Sequence, residues 1–318
     1  MNKSELQQEL MRFNNADNLK TKIEQLDIFI NCYFDLVINH HKDEVYLKEY
    51  ADAKMVLQMM FLKLLHLRKS LEGVNLNRNN KKALSKDLID PTIIASQIRN
   101  IYETTCLFNL IYIHPNFEEE RKIHYTLWII SGLKYRQKFS KYATSDKNKR
   151  KVKEEEKAIE ELIDFIKNSK AYKNLDEKNQ RKMDNVIKRK DFKIKIENKK
   201  IRILSWQDIS NEMISEYSLL EEMYNYFSSY THPSYTSVFQ FGEMFKLEDK
   251  AFMRLTVANL RFLFTFASIF LADYIRVFPK TMETYNSRTD IEQIILNFYN
   301  MMLRGESFSI NETWKKLG

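Results

Sequence analysis

Glycine and proline are so scarce in this chain that their scarcity alone narrows the folds open to it. The 318 residues include five glycines and four prolines, together about 3% of the chain, where an average soluble protein has about 12%. These residues form most tight turns and short loops, so the chain has few places where short elements could reverse direction. Sandwiches, propellers and doubly wound sheets are disfavoured, and an all-α fold, a multi-helix bundle, is predicted.

The spacing of the glycines also excludes several nucleotide-binding and catalytic motifs. No two glycines are closer than thirteen residues, whereas a Walker A loop, a G-x-G-x-x-G turn and a G-x-S-x-G nucleophile elbow need glycines close together. Cys32 and Cys106 stand alone in apolar helical patterns, as buried free thiols do in a reducing cytosol. No zinc-type ligand spacing is present, so neither a metal nor a cofactor is predicted.

Two segments bear on location. The N-terminal sequence MNKSELQQELMRF has no apolar run of the kind found in a secretory signal. Residues 262–272 are strongly apolar, but Arg261, Asp273 and Arg276 bound them. Eleven helical residues rise only about 16 Å, roughly half the hydrocarbon thickness of a bilayer. A buried central helix, no integral membrane span and a cytoplasmic protein are therefore predicted.

Apolar residues at helical spacing predict a series of long helices in a single domain over 1–318. Asp90 and Pro91 favour a helix start, as N-cap and first helical residue, and Gly73 stands where a helix is expected to end. An Asn- and Lys-rich linker is predicted over 74–89. The predicted helices cover about 17–41, 44–72, 91–114, 117–142, 205–230, 248–277 and 289–304.

Charge separates one stretch of the chain from the rest. The net charge is +8, and residues 178–202 hold eleven Lys or Arg against three acidic residues, while the remainder carries 40 of each sign. Residues 146–177 have nine basic and nine acidic residues, which predicts exposed helix. Residues 192–204 alternate apolar and charged side chains, which predicts a two-stranded hairpin. A charged insertion over 146–204 is therefore predicted within the helical body.

The basic stretch is a candidate binding surface, because clustered positive charge attracts anionic partners. Lys188, Arg189 and Lys190 are consecutive, and they are predicted to contact an RNA backbone. One alternative is a solvated helix face followed by a hairpin, with no ligand. A second alternative, supported by charge alone, is attachment to a membrane surface.

Arg99, Asn100 and Glu103 form a first candidate site within an otherwise apolar helix. Arg99 and Glu103 are four residues apart, so they share a helix face and can form an ion pair. An arginine held by a carboxylate can face a cleft and bind an anionic ligand. The alternative is a salt bridge that only satisfies two half-buried charges.

His232 marks a second candidate site, in the segment Tyr230-Thr231-His232-Pro233-Ser234. A histidine at a helix end, beside hydroxyl side chains, can place a titratable nitrogen at a surface cleft. Tyr230 and Ser234 are predicted to assist binding there. The alternative is a histidine that caps the last helical carbonyls and interacts with the helix dipole.

The R-N-x-x-E helix, the later S-x-Y-x-H-P-S segment and the long apolar helix together resemble a family of uncharacterised bacterial helical proteins. That family is similar to the HEPN superfamily (higher eukaryotes and prokaryotes nucleotide-binding), and the resemblance covers roughly 45–278 without the insertion. It implies a helical bundle, often dimeric, in which many members cleave RNA without a metal. There an arginine steadies the phosphate, and a histidine in an R-x4–6-H motif transfers the proton for attack by the ribose 2′-hydroxyl.

Carried over to this chain, the resemblance matches Arg99 and Asn100 to the start of that motif. The histidine positions hold Thr104, Thr105 and Cys106 instead. His232 would therefore have to supply proton transfer from a different helix.

Two functions are consistent with these residues. The first is a cytoplasmic bacterial HEPN-like effector acting on RNA, a metal-independent endoribonuclease in stress or phage defence, with Arg99, Glu103 and His232 as catalytic residues. Its expected partners are RNA and a second copy of the chain. The second is a non-enzymatic scaffold or partner-binding protein, in which the same residues hold helices together.

Overall fold

The structure, a computed structural model, describes residues 1–76, 85–214, 222–244 and 250–318. Within these ranges the chain is all-α, as predicted, and it also has two short antiparallel strand pairs. The helices are α1 (Lys3–Asn15), α2 (Leu19–His40), α3 (Lys48–Ser70), α4 (Pro91–Tyr112), α5 (Glu118–Gln137), α6 (Asp146–Asn168), α7 (Lys170–Lys173), α8 (Glu177–Arg189), α9 (Trp206–Met213), α10 (Met223–Thr231), α11 (Tyr235–Met244), α12 (Lys250–Val277), α13 (Met282–Asn286) and α14 (Asp290–Arg304). The strands are β1 (Val74–Leu76), β2 (Ser85–Leu88), β3 (Ile194–Glu197) and β4 (Lys200–Ile203).

The chain divides into two compact units. Unit 1 comprises residues 1–109 and 210–318, and unit 2 comprises residues 110–209. The predicted insertion 146–204 lies inside unit 2. That the chain forms a single domain interrupted by this insertion remains a prediction.

Helix α12 is the centre of unit 1 and packs against α2 and α14. Phe264, Phe266 and Phe270 of this helix are fully buried, and Phe264 and Phe270 meet rings from α2 and α4. Phe264 stacks on Phe29 with ring centroids 5.6 Å apart, and Phe270 lies 4.8 Å from Phe108. Burial of such rings supplies a large apolar contribution to stability. The predicted burial of residues 262–272 is confirmed.

Residues Met253–Val277 of α12 are also long and apolar enough to cross a membrane by length and composition. In the structure, 78% of the most apolar window of this helix is buried. A core helix of a soluble protein satisfies the same length and composition test, so the absence of an integral membrane span remains a prediction.

Unit 2 is built from α5, α6 and α8 with the β3–β4 hairpin against them. Its core is aliphatic, formed by residues of all three helices together with Ile194 and Ile201 of the hairpin. The Asn179 side-chain oxygen of α8 accepts a hydrogen bond from the backbone N–H of Ile201 at 3.0 Å, and Lys182 donates to the Ile201 carbonyl at 2.7 Å. Polar side chains of α8 therefore fix the edge of the hairpin.

The predicted hairpin is confirmed, and its turn has no glycine. Asn198 and Lys199 both have positive φ, 50° and 61°, between the paired residues Glu197 and Lys200. Positive φ at both central residues is typical of the type I′ turn, which favours Asn-Gly. Asn198 meets this preference, but Lys199 adopts a left-handed conformation that is unfavourable for a residue with a Cβ.

Replacing Lys199 with glycine is expected to stabilise the protein by about 0.5–1 kcal/mol, because glycine removes the left-handed penalty but loses more entropy on folding. Chemical denaturation of the Lys199→Gly variant would measure the change. Lys200→Gly is the matched control: it places glycine in a strand, so it should destabilise the protein instead. Equal effects from the two variants would contradict the turn assignment.

Three local expectations differ from the structure. Helix α1 was not predicted, although Asn2 and Glu5 form a capping box at its start. The predicted linker begins and ends in β1 and β2, which pair with each other; residues 77–84 lie outside the described residues. The predicted helix 205–230 is interrupted at Ile214, where α9 has ended; residues 215–221 lie outside the described residues.

Candidate functional site

Arg99 lies on α4, whose first turn is capped as the sequence predicted. The Asp90 carboxylate accepts a hydrogen bond from the backbone N–H of Thr92 at 2.8 Å. One turn apart on this helix, Arg99 Nε donates to Glu103 Oε1 at 3.0 Å. The two side chains are 16% and 26% exposed. The predicted ion pair is confirmed, and it lies at the border between core and solvent.

Tyr224 of α10 holds the other side of the Arg99 guanidinium. Arg99 Nη2 donates to the Tyr224 hydroxyl at 2.7 Å, and the guanidinium carbon lies 4.7 Å from the centre of the Tyr224 ring. Tyr102, one turn of α4 away, lies beside the same ring at 6.1 Å. A guanidinium fixed on two sides presents its remaining N–H groups in a fixed direction.

His232 follows the last residue of α10 and meets Arg99. Its Nε2 lies 3.5 Å from Arg99 Nη1, although the two residues are 133 positions apart in sequence. The backbone N–H of His232 donates to the Ser228 carbonyl at 3.1 Å, so the backbone closes the helix end. The exposed imidazole ring faces the arginine. The structure thus brings Arg99, Glu103 and His232 together.

Lys63 of α3 adds a second cation, next to Asn100 and Thr104 of α4. Its Nζ donates to the side-chain oxygen of Asn100 and, at 2.9 Å, to the Thr104 hydroxyl. Burial lowers the pKa of Lys63 from its ordinary value, and the nearby Glu103 charge opposes that shift. Sequence reasoning did not identify Lys63. The available signal was a lysine in the apolar run of α3, the same signal that drew attention to Arg99.

An open cleft of about 430 Å³ adjoins this group and is bounded by α3, α4 and α10. Asn100 and Tyr230 line it, together with Lys63 and His66. Arg99 and His232 do not line the cleft themselves. Each is the sequence neighbour of a lining residue, Asn100 for Arg99 and Thr231 for His232. The predicted residues therefore divide between the ion-pair group and the neighbouring cleft.

Tyr230 and Ser234 have structural partners. The Tyr230 hydroxyl donates to the side-chain oxygen of Gln240, while the ring faces the cleft. The Ser234 hydroxyl accepts a hydrogen bond from the backbone N–H of Ser237 at 3.1 Å, which is the geometry of an N-cap for α11. Their polar atoms are thus used within unit 1, and Tyr230 is only 9% exposed, with its ring 5.1 Å from that of Tyr226.

The remaining predicted binding residues belong to unit 2. Lys188 and Arg189 are exposed at the end of α8. Lys190 ends that helix in a left-handed conformation with φ of 63°.

The other histidines and the cysteines do not extend the site. His40 is buried and contacts the Thr284 hydroxyl at 2.8 Å. Glu120 and His124 are four residues apart, a spacing that predicts a surface pair, but that prediction is wrong because both residues are buried. Cys32 and Cys106 are buried free thiols, as predicted. No group of three or more His, Cys, Asp or Glu that could hold a metal ion occurs among the residues that the structure describes.

The geometry of these side chains is suited to two chemical roles, anion binding and proton transfer. The guanidinium can bind an anionic oxygen through N–H groups that Glu103 and Tyr224 leave free. The imidazole of His232, 3.5 Å away, has the chemistry of a general base or acid. A phosphate diester bound to Arg99 would therefore lie within reach of a general acid and base.

Comparisons with known proteins identify no relative of this chain. No protein-family model matches it, and neither the curated proteins nor the solved structures include a match. The function must therefore be inferred from the site itself.

Proposed function

We propose that this chain is a HEPN-like cytoplasmic effector that cleaves RNA without a metal ion, in bacterial stress or phage defence. The observation that carries the proposal is the contact between Arg99 and His232, 3.5 Å apart on different helices. The family motif places its histidine on the arginine's own helix. Here a residue from the end of α10 lies beside the arginine, which supports a composite site with the same chemistry.

In the proposed reaction, the ribose 2′-oxygen attacks the adjacent phosphorus, and the bond from phosphorus to the 5′-oxygen breaks. His232 accepts the proton of the 2′-hydroxyl, and the resulting imidazolium is the acid that can protonate the departing 5′-oxygen. Arg99 stabilises the charge that develops on the phosphate oxygens. Glu103 and Tyr224 keep the guanidinium in place, so that no reorientation is needed during the reaction.

RNA would also need contacts beyond the reacting phosphate. The exposed Asn100 side chain lines the adjacent cleft beside the nearly buried Tyr230, and the edge of an unstacked base could form a hydrogen bond with Asn100 there. Exposed basic residues of the 178–202 stretch, such as Arg189, are proposed to add backbone affinity that falls with salt. A second copy of the chain as a partner remains a prediction.

The direct test is incubation of the purified chain with total RNA and with tRNA, in the presence and absence of EDTA. Cleavage that persists in EDTA would support the proposal. Intact RNA under all conditions, with a correctly folded protein, would reject the enzymatic function.

The alternative function is a non-enzymatic scaffold, and one observation favours it. The Arg99 side chain already has Glu103 and Tyr224 as hydrogen-bond partners, so it connects α4 to α10 without any ligand. An arginine with this role is expected to contribute to folding stability.

The two functions differ in what Arg99→Ala should do. Because the change leaves the partly buried Glu103 carboxylate without its arginine partner and removes the hydrogen bond from Arg99 to Tyr224, a scaffold role predicts a loss of about 1–3 kcal/mol in unfolding free energy. Urea denaturation would measure it. Arg12→Ala is the control, since Arg12 pairs with Glu9 and Glu24 on the surface and should cost at most about 1 kcal/mol. Abolished RNA cleavage with unchanged stability would contradict the scaffold role.

A further inference from the structure

Unit 2 contains a second cleft, separate in its residues from the group around Arg99. The cleft has a volume of about 600 Å³ and lies where α5, α6 and α8 meet. This volume is in the range of about 300–1,000 Å³ that small-molecule sites occupy. Its lining contains five lysines and a single carboxylate, Asp184. The lysines are Lys134, Lys138, Lys167, Lys188 and Lys190.

Most of this positive charge is not neutralised within the protein. Lys167 lies 3.9 Å from Asp184, and both side chains are nearly half exposed, so their attraction is weak. Among the residues that the structure describes, Lys138, Lys188 and Lys190 form no ion pair. A cleft of one sign of charge with apolar walls concentrates the electric field and attracts counter-ions.

The backbone holds the end of α8 in a fixed position beside α5. Lys190 is left-handed, and its carbonyl accepts a hydrogen bond from the Ser131 hydroxyl at 2.5 Å. Lys134 donates to the Ile187 carbonyl at 3.1 Å. These contacts satisfy carbonyl groups that would otherwise repel an anion at the C-terminal end of the helix.

The lysines are close enough to affect one another's protonation. Burial lowers the pKa of Lys190, and the charge of Lys138 lowers it further. Burial likewise lowers the pKa of Lys134, with Lys190 acting in the same direction. Mutual repulsion of this kind is relieved when an anion binds between the cations.

We propose that this cleft binds a compact anion with several phosphate groups, such as the pyrophosphate or tripolyphosphate moiety of a ligand. Lysine ammonium groups bind phosphate as point charges without a fixed planar geometry, and several of them need more than one negative charge for balance. The cleft is open to solvent, and Ile163 and Ile187 form part of its wall. Five ammonium groups around a volume of about 600 Å³ fit a compact polyanion. Lys188 and Lys190 would then bind this anion.

The test is isothermal titration of the full chain with pyrophosphate and with tripolyphosphate. Lys138→Ala and Lys188→Ala remove exposed side chains of the cleft, and each should weaken binding by about tenfold or more, the effect of losing one charge-assisted hydrogen bond. Lys173→Ala is the matched control, because Lys173 is an exposed lysine of the same unit and does not line this cleft. Its binding should stay within about twofold of the wild type, since a distant surface charge is screened.

Sedimentation with phosphatidylcholine vesicles, with and without a phosphorylated inositol lipid, distinguishes the source of the phosphates. Binding of the soluble anions without vesicle binding indicates a free ligand; lipid-dependent vesicle binding that Lys138→Ala abolishes indicates a lipid headgroup. Absent binding of both soluble anions, or equal weakening by Lys173→Ala, overturns the proposal. Absent anion binding together with weaker RNA binding in the cleft variants would assign these lysines to an RNA backbone instead.

Discussion

His232→Ala is expected to reduce RNA cleavage by about 10²–10⁴-fold, the usual contribution of a positioned general acid or base. The stability of the protein should stay within about 0.5 kcal/mol of the wild type, as for most surface substitutions. The imidazole is exposed, and its contact with Arg99 is long, at 3.5 Å. Loss of the ring therefore removes a proton carrier without leaving a buried group unpaired. The measurement is cleavage of a defined tRNA in EDTA, with the thermal midpoint recorded in parallel.

His41→Ala is the matched control for this experiment. His41 is also exposed near a helix end, where its Nδ1 contacts the Ile38 carbonyl at 2.8 Å. Cleavage should be unaffected by this change. If His232→Ala leaves cleavage at the wild-type rate, or lowers it only in proportion to lost folded protein, the histidine has no catalytic role.

Features that depend on neighbouring residues were predictable from sequence. Asp90 caps α4, and Asn198-Lys199 forms the turn of the hairpin, because each depends on backbone geometry within a few positions. The Arg99–Glu103 pair followed from helical spacing alone. The all-α architecture followed from the shortage of glycine and proline, which limits how often the chain can turn.

Features that depend on tertiary packing were not predictable in the same way. Tyr224 and Lys63 reach Arg99 and Asn100 from other helices, and no spacing rule connects them. Ser234 was predicted to bind a ligand because it stands beside His232, but its hydroxyl caps α11. A polar residue near a candidate site has local uses that compete with binding.

The lysine cleft of unit 2 is another feature that depends on tertiary packing. The sequence revealed Lys188 and Lys190 as part of one basic run, whereas Lys134, Lys138 and Lys167 lie outside that run. Folding groups these five side chains because α5, α6 and α8 share one core. A run of charge in sequence therefore underestimates the local charge when several helices contribute to it.

Arg304→Ala is expected to destabilise the protein by about 3–5 kcal/mol, because it leaves a buried carboxylate without its cation. Arg304 Nη1 donates to Asp273 Oδ1 at 2.7 Å, and the two side chains are 2% and 1% exposed. Asn109 donates to the other Asp273 oxygen at 2.7 Å, and this bond alone cannot balance a buried charge. The pair connects α14, α12 and α4 beneath the aromatic core of unit 1. Chemical denaturation would measure the loss.

Arg276→Ala is the control, since Arg276 lies 4.5 Å from the centre of the Phe308 ring, as Arg304 does at 4.1 Å, but is exposed. It should cost at most about 1 kcal/mol, like other surface charges. The double variant Arg304→Met with Asp273→Leu should recover much of the stability, because apolar groups of similar volume replace a buried ion pair at little net cost. Equal losses from Arg304→Ala and Arg276→Ala would contradict a buried charge pair. A double variant less stable than Arg304→Ala would show that packing, rather than the unpaired Asp273 charge, dominates the loss.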